Sequence, residues 1–457
     1  MESTVNKRRN VKTALLAILA VIAVGAIIFS WLAGQTRYSY TYGSAASQAL
    51  VTYPDASFAV ISDLHYYDTS LGTSGSAFEA ALASDRKLLK ESASLIELAV
   101  DTILNSGVSF VLVSGDLTKD GELINHQKLI EQLQRLVDKG IKVYVVPGNH
   151  DVSNPGAVSY DGDETHAVQN VSPWDFSVLY RNFGYGDAVM RDENSLSYVA
   201  EPQDGLWIVA MDSCEYEKNQ EGKGETVAGE LTQDQIDWLE EVLQKANENN
   251  KAVILLEHHG VVEHWAGQSK LQPDYLLSDY KHVGKLLSSY GVRLAFTGHY
   301  HAQDITLEDN GDLGFLYDVE TGSLITTPCA MRFCTISDNK ITIRTQTLAD
   351  QFFGSAESVN EALDFVKSTV YHDAYRTLKR YFLSDHDADA IAIAVSQAFQ
   401  SHYQGDEKSS QRVDVDESQL NLWGRIVYAQ EKYVLDGLWN DLVPGDNNVT
   451  LPLSAVS

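Results

Sequence analysis

Residues Ile141–Asp151, IKVYVVPGNHD, join an apolar run of strand length to three polar side chains. Such runs alternate with helical patterns from Ala59 onward, which is typical of a βαβ build with a largely parallel sheet. Asn149, His150 and Asp151 therefore stand at the carboxyl end of a predicted strand. Because ligands of open α/β sheets bind at that edge, the stretch predicts a site there.

Four other apolar runs end in the same way. SFAVISDLH ends in Asp63 and His65, SFVLVSGD in Asp116, KAVILLEHHG in His258 and His259, and VRLAFTGHYH in His299 and His301. Six of the thirteen histidines thus lie at five strand ends, which chance explains poorly. We expect these side chains to meet in one site.

The donor types indicate a metal centre. The set Asp63, His65, Asp116, Asn149, His258, His299 and His301 mixes hard oxygen with borderline nitrogen donors. That mixture suits Mn, Fe or Zn rather than Ca alone. Seven donors are too many for one ion and fit two divalent or trivalent ions that share a bridging carboxylate. Two metals about 3.5–4 Å apart are the arrangement that clamps the attacking and leaving oxygens in phosphoryl transfer.

The chain resembles the calcineurin-like metallophosphoesterase superfamily over residues 59–346. The resemblance lies in five motifs in this order: D-x-H, G-D, G-N-H-D, H and G-H-x-H. The resemblance implies a four-layer α/β/β/α sandwich of two mixed sheets flanked by helices. It also implies a ligand assignment: Asp63, His65 and His301 for one metal, Asn149, His258 and His299 for the second, and Asp116 as the bridge. Tyr300, between two of these ligands, is expected to point away from the site.

Four further residues receive roles from the same resemblance. His150 is expected to contact the phosphate and to protonate or stabilise the leaving oxygen, while Asp151 orients its ring. The alternative is that His150 only hydrogen-bonds its loop. His258 is implied as the ligand and His259 as a residue behind it or near the substrate, although the adjacent pair leaves that choice open. Tyr66 follows D-x-H and either lines the pocket or packs.

The expected reaction is hydrolysis of a small phosphodiester by a hydroxide that bridges the two metals, since two cations lower the pKa of a bound water. Lys119 stands where purple acid phosphatases carry a metal-binding Tyr, and Asp151 stands where protein phosphatases carry Glu. The segment FGYGDA at 183–188 and an appended helical region are most similar to bacterial class III cyclic-nucleotide phosphodiesterases. A cyclic nucleotide is therefore the expected substrate.

Two alternatives remain at this stage. One is a different exported phosphoesterase, such as a phosphomonoesterase, a nucleotidase or an enzyme acting on cell-envelope phosphoesters. The other is a membrane-anchored binding module that uses the site without catalysis, which an intact ligand set disfavours. The first alternative keeps the same metal centre, whereas the second would use a degenerate one.

Charge limits the partners. The 457 residues contain 34 basic and 63 acidic side chains, which gives a formal net charge of −29. A surface this acidic repels polyphosphate backbones and argues against extended nucleic-acid binding. A small phosphorylated substrate, attracted by local metal charge, is compatible with it. The three scattered cysteines lack metal-site spacing and are expected to be buried thiols, with a Cys329–Cys334 bridge as the alternative in an exported protein.

The amino-terminal residues predict a membrane anchor. A basic cluster at residues 7–12 precedes an apolar run at residues 14–33, and twenty helical residues span a hydrocarbon core of about 30 Å. The basic flank stays in the cytoplasm, which places the catalytic part on the extracytoplasmic side. A cleaved signal peptide, leaving a secreted protein, is the alternative. Residues 1–36 are thus the anchor and 37–53 a linker.

The remaining chain divides into a catalytic domain at 54–350 and an all-helical domain at 355–457. Ser358-x-x-Glu361 is a capping-box pattern, and Val370 and Leu378 belong to an apolar stripe that follows it. Further helical patterns cover residues 388–401 and 420–438. We expect the stripe to be a packing surface rather than a ligand groove.

Overall fold

The computed structural model describes residues 38–44, 52–83, 85–405 and 407–454. All helices and strands within these ranges belong to the compact unit Thr41–Ser457. The predicted anchor lies outside the described residues and stays a prediction, as does export of the catalytic part. In the part of the chain that is described, no helix has both the length and the hydropathy to cross a bilayer.

Strands form two mixed sheets and one isolated hairpin. They are β1 Ala56–Ile61, β2 Phe110–Val113, β3 Lys142–Val145, β4 Val158–Asp161, β5 Glu164–Ala167, β6 Met190–Arg191, β7 Tyr198–Gln203, β8 Leu206–Ala210, β9 Ala252–Leu256, β10 Leu294–Thr297, β11 Asp304–Asp309, β12 Phe315–Glu320, β13 Ala330–Ser337, β14 Lys340–Thr347 and β15 Asn448–Pro452. The first sheet has the order β15-β14-β13-β1-β2-β3, and the second has the order β11-β12-β10-β9-β8-β7-β6. The hairpin pairs β4 with β5.

The α-helices lie between and after these strands. They are α1 Ser76–Ala83, α2 Ser92–Leu104, α3 Leu123–Val137, α4 Pro173–Leu179, α5 Gln233–Glu248, α6 Gln268–Leu271, α7 Tyr280–Ser289, α8 Ala349–Phe353, α9 Ala356–Arg380, α10 Asp385–Gln404 and α11 Leu422–Leu438. Helix α3 packs on β3 of the first sheet, whereas α5 and α7 pack on β9 and β12 of the second. The mixed α/β class with sheets and flanking helices is confirmed.

The two sheets meet through aromatic side chains. Phe58 of β1 stacks on Phe110 of β2 with ring centroids 4.8 Å apart, and it meets the edge of Phe296 of β10 at 5.4 Å. All three rings are buried. Because Phe58 and Phe296 come from different sheets, this contact fixes how the sheets face each other. Cys214, Cys329 and Cys334 are buried free thiols, as predicted.

Side chains cap the starts of two of the helices. Helix α5 begins after Thr232, whose side chain accepts from the backbone N of Gln235 in a capping box. Helix α9 begins earlier than predicted, because Ser355 rather than Ser358 is the N-cap. The Ser355 hydroxyl accepts from the backbone N of Ser358 at 3.2 Å. Ser358 therefore donates a hydrogen bond to the N-cap residue and is not itself the N-cap.

The prediction that residues 355–457 are all helical is wrong at the carboxyl end. Strand β15 pairs antiparallel with β14 and extends the first sheet, with Leu451 buried opposite Ile341. Because the side chains of a strand alternate between its two faces, β15 needs apolar residues on only one face to pack in the sheet. Helices α9, α10 and α11 also share a hydrophobic cluster with Trp265 and Tyr300 of the catalytic part.

The predicted linker at 37–53 also packs where it is described. The backbone N of Gly43 donates to the Ser289 hydroxyl at 2.8 Å. Tyr53 is buried; its hydroxyl donates to the Val253 carbonyl at 2.7 Å and accepts from the backbone N of Arg293 at 2.9 Å. These contacts tie both described ends of the segment to the second sheet and its helices.

A buried ionic cluster joins the second sheet to α10. His264 Nδ1 lies 2.6 Å from Asp304 Oδ1, and its Nε2 lies 3.4 Å from Asp318 and 3.5 Å from Glu320. His402 of α10 belongs to the same cluster, because its Nδ1 lies 3.9 Å from Asp304 Oδ2. Burial opposes the charged form, but the three carboxylates raise the pKa of His264 well above its ordinary value. His264 is therefore a buried cation at neutral pH.

We expect His264→Ala to lower the free energy of unfolding by about 3–5 kcal/mol, because it leaves three buried carboxylates without their cation. Chemical denaturation of the variant and of wild type measures this difference. Since the folded-state pKa is raised, the contribution is full below about pH 6.5 and declines as the pH rises through the raised value.

His386→Ala is the matched control for this substitution. His386 is exposed on α10 and lies 3.5 Å from Asp387. We expect its removal to change the unfolding free energy by less than about 0.5 kcal/mol. Equal effects from the two substitutions would contradict the role of the buried cluster.

Candidate metal centre and active site

The five predicted strand ends are strand ends in the structure and meet at one place. β1, β2 and β3 run parallel in the first sheet, and β9 and β10 run parallel in the second. Their carboxyl ends bring all seven predicted ligands together: Asp63, His65, Asp116, Asn149, His258, His299 and His301. All are buried except His301, which is partly exposed.

Four of these residues form the first cluster, namely Asp63, His65, Asp116 and His301. His65 Nε2 lies 3.3 Å from His301 Nε2 and 3.5 Å from Asp116 Oδ2. His301 Nε2 is in turn 3.3 Å from Asp63 Oδ1. Ring nitrogens and carboxylate oxygens thus converge from three different strand ends.

The second cluster contains Asp116, Asn149, His258 and His299. His258 Nε2 lies 3.2 Å from Asn149 Oδ1 and 3.4 Å from Asp116 Oδ1. The rings of His258 and His299 are 4.6 Å apart between centroids. Asp116 therefore presents one carboxylate oxygen to each cluster, which is the geometry of a bridging ligand.

The donors in both clusters suit cations. Burial lowers the pKa of His65 and of His299 well below the ordinary value, so both rings are neutral and keep a lone pair for a metal. Imidazole nitrogens that face a shared carboxylate form a site that fits two metal ions, as predicted. The assignment of individual ligands to each ion remains the predicted one.

The backbone at these residues is unusual. Asp63, His65, Asp116, His299 and His301 all have positive φ, between 36° and 73°. Such values are uncommon for residues other than glycine and store about 1–3 kcal/mol each, which the surrounding packing must offset. These backbone conformations turn the side chains after each strand toward one common point.

Two glycines of the motifs allow close approach to the carboxylates. A Cβ at Gly148, just before Asn149, would overlap the side chain of Asp116. A Cβ at Gly298, just before His299, would overlap the Ser62 hydroxyl and crowd the Asp63 carboxylate at 2.6 Å. Any larger residue at these two positions would therefore displace Asp116 or Asp63.

His150 lines the same cavity, but the residue that orients it was not predicted. His150 Nδ1 lies 2.9 Å from Asp120 Oδ1, and Nε2 points toward Asp116 Oδ2 at 3.9 Å. Lys119 and His150 hold the pKa of Asp120 at about 2 despite its burial. Burial also disfavours charge on His150, yet Asp116 and Asp120 raise its pKa to about 9. The Nδ1 of His150 is thus held by Asp120 while its Nε2 faces the site.

The prediction that Asp151 orients His150 is wrong. The Asp151 carboxylate accepts from the backbone N of Leu117, Thr118 and Gly148 at 2.8–2.9 Å, and from the Thr118 hydroxyl at 2.8 Å. It is fully buried beneath the loops. Asp151 therefore fastens the loop that carries Asp116 to the loop that carries Asn149 and His150.

His259 lies behind the second cluster and does not join it. Its Nδ1 is 2.7 Å from the Ser213 hydroxyl and its Nε2 is 2.9 Å from the Val227 carbonyl, so both ring nitrogens are engaged. Burial lowers the pKa of His259 to about 3. Tyr66 is buried, contributes backbone hydrogen bonds to the Asp116 loop, and is not among the residues that line the cavity.

The cavity above the clusters, here called the metal-site cavity, has lining residues that sequence reasoning missed. Arg86 and Lys87 supply its basic side chains, and Lys87 Nζ lies 3.5 Å from His65 Nδ1. Tyr275 and Tyr403 line it from outside the motifs. The adjacent basic residues Arg86 and Lys87 stand out in so acidic a chain and could have been proposed as site residues from the sequence. The sequence around Tyr403 of α10 gave no such indication.

Comparisons with known proteins agree with this geometry. The family model for calcineurin-like phosphoesterases matches residues 56–303. A manganese-dependent ADP-ribose/CDP-alcohol diphosphatase from Arabidopsis thaliana is 26% identical over 295 residues, which cover 59% of this chain and 86% of that protein. The alignment with this relative therefore covers a majority of the chain.

Solved structures give more distant similarities. A dimetal phosphatase from Danio rerio aligns with a TM-score of 0.45 at 16% identity, covering 65% of this chain and 97% of its own. A predicted phosphoesterase from Streptococcus pneumoniae aligns with a TM-score of 0.27 at 14% identity, covering 65% and 91% of the two chains. With more than half of its length matched by the family model, the protein belongs to the calcineurin-like phosphoesterase family and is a metal-dependent phosphoesterase.

Proposed function

We propose that the protein hydrolyses a small diphosphate diester, in which two substituted phosphates share a bridging oxygen. One observation carries this proposal: a bridged pair of metal clusters and the basic pair Arg86-Lys87 line the same cavity. One phosphate would lie at the metals and the second at the basic pair. The relative that acts on ADP-ribose and CDP-alcohols supports this class.

In this proposal the first cluster holds one metal ion, the second cluster holds the other, and Asp116 is shared. When bound, the two ions activate water as a nucleophile and neutralise charge on the phosphate oxygens. The protein keeps the rings of His65 and His299 neutral by burial and fixes the carboxylates by hydrogen bonds. Asp63, for example, accepts from the Ser62 hydroxyl at 2.6 Å and from the backbone N of His299 at 3.0 Å.

His150 is the proposed proton donor to the leaving oxygen. Its Nδ1–H donates to Asp120, which leaves the Nε2–H directed into the metal-site cavity. The carboxylate of Asp120 favours a proton on this ring, and the proton would pass from Nε2 to the leaving oxygen as its bond breaks. General acid catalysis of this kind contributes about 10²–10⁴-fold.

The cyclic-nucleotide substrate inferred from the sequence receives less support. The segment at 183–188 that suggested it contains Phe183 and Tyr185, both buried in the core. The rings of Tyr185 and Tyr198 pack 4.6 Å apart, and neither residue lines the metal-site cavity. The aromatic residues of this segment therefore contribute to packing of the fold rather than to recognition of a nucleotide.

A substrate panel tests the proposal on Mn²⁺-loaded full-length protein. ADP-ribose and CDP-choline should show kcat/KM about ten-fold or more above 3′,5′-cyclic AMP and p-nitrophenyl phosphate, because only they place a second phosphate at Arg86-Lys87. Chromatography of the nucleotide products measures the rates. EDTA should abolish them and Mn²⁺ restore them. Preference for cyclic AMP, or for the monoester, would replace this proposal with the corresponding alternative.

Substitution of the two acidic residues separates their roles. Asp120→Asn should lower kcat by about 10²-fold without loss of bound metal, since a neutral amide no longer favours the proton on the His150 ring. Asp151→Asn should lower metal content and the unfolding temperature, because an amide nitrogen then faces backbone donors. Metal analysis, thermal unfolding and kcat on one diphosphate substrate distinguish them. Loss of metal in Asp120→Asn with retention in Asp151→Asn would reverse the assignment.

A further inference from the structure

A second cavity, here called the apolar cavity, lies among helices α9, α10 and α11. Its volume is about 240 Å³ and its wall is mostly aliphatic, with Val370, Leu378, Ile391, Val395 and Leu435. An apolar cavity of about 150 Å³ engineered in another protein stays dry and binds benzene. The stripe expected to serve only for packing is thus in part the wall of a space that can hold an alkyl group.

Arg86 lines both the apolar cavity and the metal-site cavity. Its Nη1 donates to the hydroxyl of Tyr403, which lines the metal-site cavity. Its Nη2 lies 3.6 Å from Asp373 Oδ2, and Asp373 lines the apolar cavity. A guanidinium therefore stands where the two spaces adjoin, and guanidinium groups bind phosphate oxygens well.

The other end of the apolar cavity reaches an exposed apolar surface. Tyr381 lines the cavity and is 48% exposed, and its carbonyl accepts from Trp423 Nε1 at 2.9 Å. Next to them in the chain, Phe382 is 88% exposed and Leu422 is 78% exposed. Phe382 also has a φ of 62°, an uncommon conformation for a bulky residue. Exposed apolar clusters of this kind mark binding surfaces.

We propose that the apolar cavity binds the hydrocarbon chain of the substrate, which makes the substrate an amphiphilic phosphoester. The phosphates lie between the metal clusters and Arg86, and the alkyl group esterified to the distal phosphate enters the apolar cavity past Arg86. This inference rests on the proposed function, because it places the reacting phosphate at the metals. It adds a binding determinant and leaves the hydrolytic step unchanged.

A chain-length series tests the inference on Mn²⁺-loaded full-length protein. CDP alkyl esters from ethyl to octyl are hydrolysed and the release of CMP is followed by chromatography. We expect kcat/KM to rise about two- to four-fold per added methylene until the cavity is filled, which is the effect of burying a methylene. A flat series in the wild-type protein would overturn the inference.

Substitutions inside and outside the cavity check where the chain binds. Val395→Trp fills the cavity and should reduce the octyl-to-ethyl ratio of kcat/KM to near one. Ala374→Leu, also on the cavity wall, is a smaller change and should reduce the ratio partly. Ile393→Trp is the matched control, because Ile393 is exposed on the same helix and does not line the cavity. A ratio that stays at the wild-type value in both cavity variants, once their unfolding temperatures show a folded protein, would overturn the inference.

A binding measurement keeps this inference separate from the proposed function. Octyl and ethyl methylenediphosphonates, in which carbon replaces the bridging oxygen, are titrated calorimetrically below micelle-forming concentration. Tighter binding of the octyl compound to wild type, reduced in Val395→Trp, supports the apolar site even if no diphosphate is hydrolysed. Hydrolysis of CDP esters without any chain-length effect in rate or binding retains the proposed function and overturns the amphiphilic substrate.

Discussion

The carboxylate of Asp116 is the constraint on which the site depends. Its Oδ2 lies 3.5 Å from His65 Nε2, which follows a strand of the first sheet. Its Oδ1 lies 3.4 Å from His258 Nε2, which follows a strand of the second sheet. One carboxylate can serve both histidines only where the carboxyl ends of strands from the two sheets come together. The buried contact between Phe58 and Phe296, one from each sheet, is part of the packing that brings them together.

Sequence reasoning predicted the ligands well because their positions follow from strand geometry. An apolar strand fixes where its carboxyl end lies, so any polar residue at that end is placed with little freedom. The partner of His150 was missed for the opposite reason. Asp151 is adjacent in the chain but turns beneath the loop, whereas Asp120 reaches the ring from the neighbouring loop. Side-chain partners within loops depend on loop shape, which strand patterns do not specify.

The carboxyl-terminal helices show a second limit. Their apolar periodicity predicted three helices correctly, since periodicity reports that one face of a helix is buried. Periodicity does not show whether that face packs closely against another helix or lines a cavity, because both arrangements need apolar residues at the same positions. It also gave no indication that Tyr403 of α10 lines the metal-site cavity or that β15 completes the first sheet. These features arise from contacts between residues far apart in sequence.

Tyr300 explains why the helices belong to the catalytic unit. Its hydroxyl donates to Gln272 Oε1 at 2.7 Å and accepts from Trp265 Nε1 at 3.1 Å, and its ring lies 5.6 Å from that of His402 on α10. The residues on either side are His299 and His301, one in each metal cluster. Because both have strained, positive φ, a shift of Tyr300 would redirect both imidazoles. Packing of α10 on Tyr300 therefore stabilises the geometry of the metal centre as well as the helical segment.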